Sequence, residues 1–237
     1  MAELIGILKF KGKMDGLSFY KMNGKIIVRK PGGFDGEKIL KDEKYVNVRK
    51  NASEFGRCSK FGAKLRRALQ PFVKDFRDPI LHGRVAKMLH DLMKLDPVSS
   101  KGERTVQLGL QHAESGKILD DFVWNTGDGK RCRYDYEKRT LFFDRIPARS
   151  TKAVVTLRFI DPDEGQDPLE FQDFVFEVSL PCTEFFIAEE EGFESVQAHY
   201  LKFALIRFYD ADGFLLRGKT AVVVGYSGRC WFRRINI

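Results

Sequence analysis

Residues able to do chemistry are few in this chain and stand far apart. Ser227 lies in Gly225-Tyr226-Ser227-Gly228, close to the Gly-x-Ser-x-Gly elbow of serine hydrolases, but residue 229 is Arg and no helical pattern follows, so a strand-terminal turn is expected. A cysteine nucleophile needs a paired base, and none stands near Cys58 or Cys132. With Cys182 and Cys230 the cysteines number four and form no Cys-x-x-Cys pair, so buried free thiols are expected rather than zinc or a redox dithiol. His82, His90, His112 and His199 lack the i, i+4 spacing of helical zinc ligands. The stretch Asp161-Pro162-Asp163-Glu164-Gly165-Gln166-Asp167 has the acid density of a calcium loop, yet its glycine comes fifth rather than sixth and Gln172 occupies the twelfth place. A solvated hairpin loop is the expectation there. Pro31-Gly32-Gly33 and Gly36 make neither a dinucleotide nor a phosphate-loop fingerprint. The chain is therefore read as no enzyme, with no cofactor, no metal and no evident small-molecule substrate.

What does concentrate is positive charge. Residues 1–104 hold 24 Lys+Arg against 12 Asp+Glu, and residues 105–237 hold 17 against 21, so a formal net charge of +8 divides into +12 and −4. A field of that kind draws in polyanions or an acidic protein face. The cations gather on Arg49, Lys50, Arg57, Lys60, Lys64, Arg66 and Arg67 of one helical pattern, and on Lys25 and Arg29 of a hairpin, with Lys21 and Lys30 beside them. Phe55, Phe61 and Phe72 fall at core spacing, so they are read as packing residues and not as stacking platforms for bases.

The elements that must carry these cations follow from periodicity. Ile5–Phe10, Leu17–Tyr20 and Ile26–Arg29 alternate as three strands, and Asn23-Gly24 between the last two tolerates the positive φ angles of a type I′ hairpin turn. Pro31-Gly32-Gly33 ends them, and a loop is expected as far as Asp42. Asp42 then caps a helix over 43–70 with Tyr45, Val48, Ala52, Phe55, Cys58, Phe61, Leu65 and Leu69 as its apolar stripe, stopped by Pro71. Asp78-Pro79 opens a second helix that ends before Pro97. Ser99-Ser100-Lys101-Gly102 reads as a linker, dividing a basic segment, 1–98, from a β-rich domain, 103–237. In the latter the period changes to two, with strands expected at Val106–Leu110, Leu141–Phe143, Ala153–Phe159, Phe174–Leu180, Tyr200–Tyr209 and Ala221–Tyr226. The fold class is thus α+β: an N-terminal β-hairpin or meander plus two helices, then an antiparallel, sandwich-like C-terminal part. Hydrophobic residues make up 43% of the 237, enough to build a core without staples.

Gly12-Lys13-Met14-Asp15-Gly16-Leu17-Ser18-Phe19-Tyr20, Asn23-Gly24-Lys25, Val28-Arg29-Lys30-Pro31, Glu54-Phe55-Gly56 and Gln197-Ala198-His199-Tyr200 together resemble uncharacterised proteins of Bacteroidota. That resemblance implies a bacterial origin and the two-part layout; it carries over no functional residue. No signal-peptide core and no membrane-length apolar run occurs, so the expected location is cytoplasmic, with release in a particle left open. The expected function is a structural or assembly protein whose basic N-terminal segment docks on an acidic protein surface or on copies of itself, as in a phage-like or other large particle. The alternative is nucleic-acid binding by helix 43–70. Both require the cations to be exposed and free of internal partners.

Overall fold

Two hairpins of opposite hand from ordinary turns begin the fold. In the computed structural model, which describes residues 2–3, 10–30, 36–76, 78–126, 131–135, 138–187, 200–217 and 219–225, strands β1 (Ala2–Glu3), β2 (Gly12–Met14), β3 (Leu17–Met22) and β4 (Lys25–Arg29) form an antiparallel sheet in the order β1-β4-β3-β2. Asn23 and Gly24 have φ of 50° and 84°, the pair of positive values that a type I′ turn demands. Asp15 and Gly16, at 48° and 70°, turn β2 into β3 in the same way; that Asp-Gly signal went unread in the sequence, and β2 with it. The expected strand Ile5–Phe10 lies almost wholly outside the described residues. Within the stretch expected as loop, Gly36–Lys41 is helical (α1). Asp42 does cap, its carboxylate accepting from Lys44 N at 3.0 Å, but what it caps is a 3-10 turn, Glu43–Tyr45, that leads into α2 (Val46–Ala68).

The chain divides into two compact units, Met1–Arg49 and Lys50–Ile237. The Ser99–Gly102 stretch is a turn inside the second unit rather than a boundary. The reason is burial: Cys58, Phe61, Leu65 and Leu69 of α2 and Val85, Leu89, Leu92 and Met93 of α3 (Leu81–Met93) share one core with Ile160, Leu201, Phe203, Leu205 and Val224 of the strands. Separating the helices from the strands would expose that whole surface. Gly62 lets the two helices meet, since a Cβ there would come within 3.2 Å of Val85 Cγ1.

The second unit has three layers. Its central sheet runs β11-β10-β7-β8, antiparallel throughout, from β7 (Lys152–Ile160), β8 (Phe171–Ser179), β10 (Leu201–Tyr209) and β11 (Ala221–Gly225). β7 and β10 are buried almost end to end, as strands covered on both faces must be. The helices cover one face. On the other lies a small sheet of β5 (Cys132–Asp135), β6 (Thr140–Phe143) and β9 (Glu184–Phe186), which shares a second core of Leu141, Phe143, Val155, Leu157, Ile206 and Phe208. The sandwich expected from the alternation is this pair of sheets.

Val106–Leu110, expected as a strand, is helix α4. Thr105 Oγ1 accepts from Leu108 N at 3.3 Å, and the Glu164 carboxylate accepts from Val106 N at 2.9 Å. Two caps on one short turn outweigh the strand preference of an apolar pentapeptide. Helix α5 (Ser115–Asp121) follows it.

Candidate interaction surface

The nine cations singled out in the sequence fall in both units. In the first unit Lys25 and Arg29 are exposed on β4, and the Arg29 guanidinium lies 5.6 Å from the Tyr20 ring centre. Arg49 turns inward and donates to the carbonyls of Ile39 (2.6 Å) and Asp42 (2.9 Å), closing α1 against the start of α2.

In the second unit the face of α2 is largely engaged with its own chain. Arg57 donates to the carbonyls of Gly102 (2.8 Å) and Arg104 (2.9 Å). Lys64 donates to those of Glu164 (2.9 Å) and Gln166 (2.6 Å), and Arg67 pairs with Asp167 at 2.9 Å. The methylene stem of Lys50 passes against Gly102. Arg66 is half-buried, and that burial pushes its pKa down. Lys60 alone of the helix set is exposed with no ion pair among the described residues. The expectation of a free basic helix is corrected accordingly. Arg57, Lys64 and Arg67 donate to carbonyls and a carboxylate of the β7–β8 loop and of the 99–104 turn, because a charge-assisted bond inside the fold competes with solvent at a partly buried site.

The acidic loop that resembled a calcium site is a hairpin loop whose Asp163, Gly165 and Asp167 are exposed, and it is also tied to the helices. Lys64 and Arg67 hold it from α2, Glu164 caps α4, and Asp163 Oδ1 takes the Gly165 N–H at 2.8 Å. Among the described residues no group of three or more His, Cys, Asp or Glu could hold a metal ion. Ser227, Cys230 and His199 lie outside those residues.

Sequence reasoning missed a buried electrostatic cluster around Glu54. Glu54 is fully buried on α2 where the apolar stripe had placed Phe55, which is instead 47% exposed. The carboxylate accepts from Gly102 N (2.7 Å) and from Arg104 Nε (2.8 Å) and Nη2 (2.7 Å), and His90 Nε2 lies 3.7 Å away. The Arg104 hydrogen bonds hold its carboxyl down at about 2, against the opposing pull of burial. His90 has its pKa lowered, chiefly by burial. Asp96 takes the backbone N–H groups of Val98, Ser99 and Thr105 at 2.9 to 3.0 Å. Glu54, Arg104 and Asp96 brace the 96–105 turn.

Arg158 was also unread, although a cation inside the run Ala153–Phe159 is an anomaly for a central strand. It pairs with Asp173, donates to the carbonyls of Ala68 and Gln70 at the end of α2, and lies 4.0 Å from the Phe171 ring centre. A guanidinium there satisfies carbonyls that the helix end leaves open. Among the described residues no helix is long and apolar enough to cross a membrane. No family model, no curated protein and no solved structure matches this chain, and none of them bears on the expected resemblance to Bacteroidota proteins.

Proposed function

We propose that the chain is a non-enzymatic structural or assembly protein that docks through its basic N-terminal segment on an acidic protein surface or on a second copy of itself. The observation that carries this reading is how little the described residues of the first unit bury. None of its described side chains is buried. A small sheet needs an apolar face covered before it is stable in water. The register places Met14, Leu17, Phe19, Ile26 and Val28 on one face of the meander. Met14 is 54% and Leu17 37% exposed, and Phe10 lies edge-on to Phe19 at 5.2 Å. Residues 1–49 hold 11 Lys+Arg against 6 Asp+Glu, with Lys21 on that apolar face and Lys25 and Arg29 on the opposite one, so the segment carries apolar area within a positive field that favours an acidic counterpart.

The nucleic-acid reading of helix 43–70 has less support, since several cations acting together are needed to neutralise phosphates and Arg57, Lys64 and Arg67 are already engaged. The test is light scattering of the full chain at high concentration over about 50 to 500 mM salt, a span that shortens the screening length roughly threefold. Association that strengthens at low salt and is abolished by Leu17→Glu or by Lys25→Glu with Arg29→Glu is expected. A strict monomer at low salt that also ignores acidic protein surfaces overturns the reading.

A further inference from the structure

Three connections of the second unit meet around an open cavity of about 660 Å³: the residue before β5, residues 145–148 between β6 and β7, and residues 215–217 and 219 between β10 and β11. That volume is in the range of small-molecule sites. Its frame is fixed by backbone bonds. The Arg131 carbonyl accepts from both Asp144 N (2.8 Å) and Arg145 N (3.0 Å), which ties the start of β5 to the end of β6. On the far wall Leu215 bridges to Tyr209, and Leu216 N donates to the Phe208 carbonyl at 2.8 Å, so this connection is held against β10.

Charge selects what the cavity can take. Arg131, Arg145, Arg217 and Lys219 line it, and among the described residues no Asp or Glu does. Elsewhere in this unit Arg57, Arg84, Arg104 and Arg158 each donate to a carbonyl or a carboxylate of the chain. The side chains of Arg145 and Arg217 are exposed and have no such acceptor among the described residues. Neighbouring carboxylates are already taken: Asp144 pairs with Arg133 at 3.0 Å, and Asp210 accepts from Asp212 N and Phe214 N. Cations gathered on one concave wall repel each other and focus a positive field, so a counter-charge from outside is favoured. A phosphate monoester brings about −1.5 to −2 charges at pH 7 and three acceptor oxygens, which planar guanidinium forks can bond in pairs, whereas a carboxylate brings a single charge. Ile146, Leu215 and Leu216 add apolar wall beside the cations, which inorganic phosphate alone would leave unfilled.

We propose that this cavity is a binding site for a small phosphate monoester with an apolar organic group, its phosphate met by Arg145 and Arg217 and its apolar end laid against Ile146, Leu215 and Leu216. The site belongs to the second unit and does not depend on the docking reading of the first.

The experiment is calorimetric titration of the intact chain with phenyl phosphate, beside inorganic phosphate and benzyl alcohol, which each carry one half of the ligand. Phenyl phosphate should bind saturably, inorganic phosphate about tenfold more weakly for want of apolar contact, and benzyl alcohol not measurably. Arg145→Gln with Arg217→Gln removes two exposed cations and should weaken phenyl phosphate at least about tenfold, the value of a bond to a charged group, with the circular dichroism spectrum unchanged. Ala148→Asp sets a carboxylate at an exposed position of the wall and should weaken it in the same direction. Lys60→Gln with Lys87→Gln takes equal charge from exposed positions of α2 and α3 and should leave binding within about twofold, since distant surface charges are screened by salt. The proposal is overturned if phenyl phosphate gives no saturable heat, if inorganic phosphate binds as tightly and so marks an adventitious ion only, if the arginine pair variant binds like the wild type, or if the lysine pair variant weakens as much.

Discussion

Replacing Glu54 by Gln tests the electrostatic brace between α2 and the 96–105 turn. The wild-type carboxylate takes two bonds from Arg104 and one from Gly102 N while fully buried. Its folded pKa, about 2, lies below the ordinary value of 4.5. A depressed carboxylate stabilises the fold above its unfolded pKa, and that contribution is lost as pH falls through the folded pKa. The window runs from about pH 4.5 down to about 2, and the full contribution is about 3 kcal/mol at roughly 1.4 kcal/mol per unit. By pH 3 about 2 kcal/mol of it is gone. Gln keeps the shape and one acceptor but leaves Arg104, its side chain 18% exposed, without a counter-charge, so E54Q should cost about 2–4 kcal/mol at pH 7. Other carboxylates titrate in both proteins, so the readout is the gap between them. Urea unfolding followed by circular dichroism should show that gap shrinking by about 2 kcal/mol between pH 7 and pH 3. A gap that stays constant with pH refutes the assignment of the depressed pKa to Glu54.

Lys64→Met should lower the urea midpoint by an amount equivalent to about 1–3 kcal/mol, because it frees the carbonyls of Glu164 and Gln166, while leaving self-association in light scattering unchanged. Gly109→Ala puts a Cβ 2.0 Å from the Leu92 carbonyl oxygen; a clash with backbone cannot be relieved by a rotamer, so a loss of about 3 kcal/mol or more is expected, read as a fall in Tm or in folded yield. Cys58 and Cys132, both buried with pKa pushed up to about 12, should resist alkylation at pH 8 and be modified only on unfolding, whereas half-buried Cys182 should react ahead of both; peptide mapping by mass spectrometry after timed quenching decides it.

The test of the fold-class expectation is in particular elements. Asn23-Gly24 specified its hairpin because the turn's positive φ values are a property of those two residues. The Val-, Phe- and Leu-rich runs of β7 and β10, interrupted inside by Thr156, Arg158, Lys202 and Arg207, specified strands, while their cover on both faces came from the tertiary packing. Val106–Leu110 could not be read so, since its helix depends on a carboxylate from residue 164. In α2, apolar spacing placed Phe55 inward, but the partner that draws Glu54 inward is Arg104, remote in sequence.

From its order of residues alone this chain determined its local turns, the class of most of its elements and the presence of excess positive charge at its front, because each depends on neighbours within a few positions. Whether a cation faces solvent or a carbonyl was decided by tertiary structure. Arg57, Lys64, Arg67 and Arg158 find acceptors that lie 45 to 102 positions away along the chain, and charge-assisted bonds of that range are set by which surfaces the two cores bring together. That the described residues of the N-terminal meander bury no side chain likewise has no signature in composition or period.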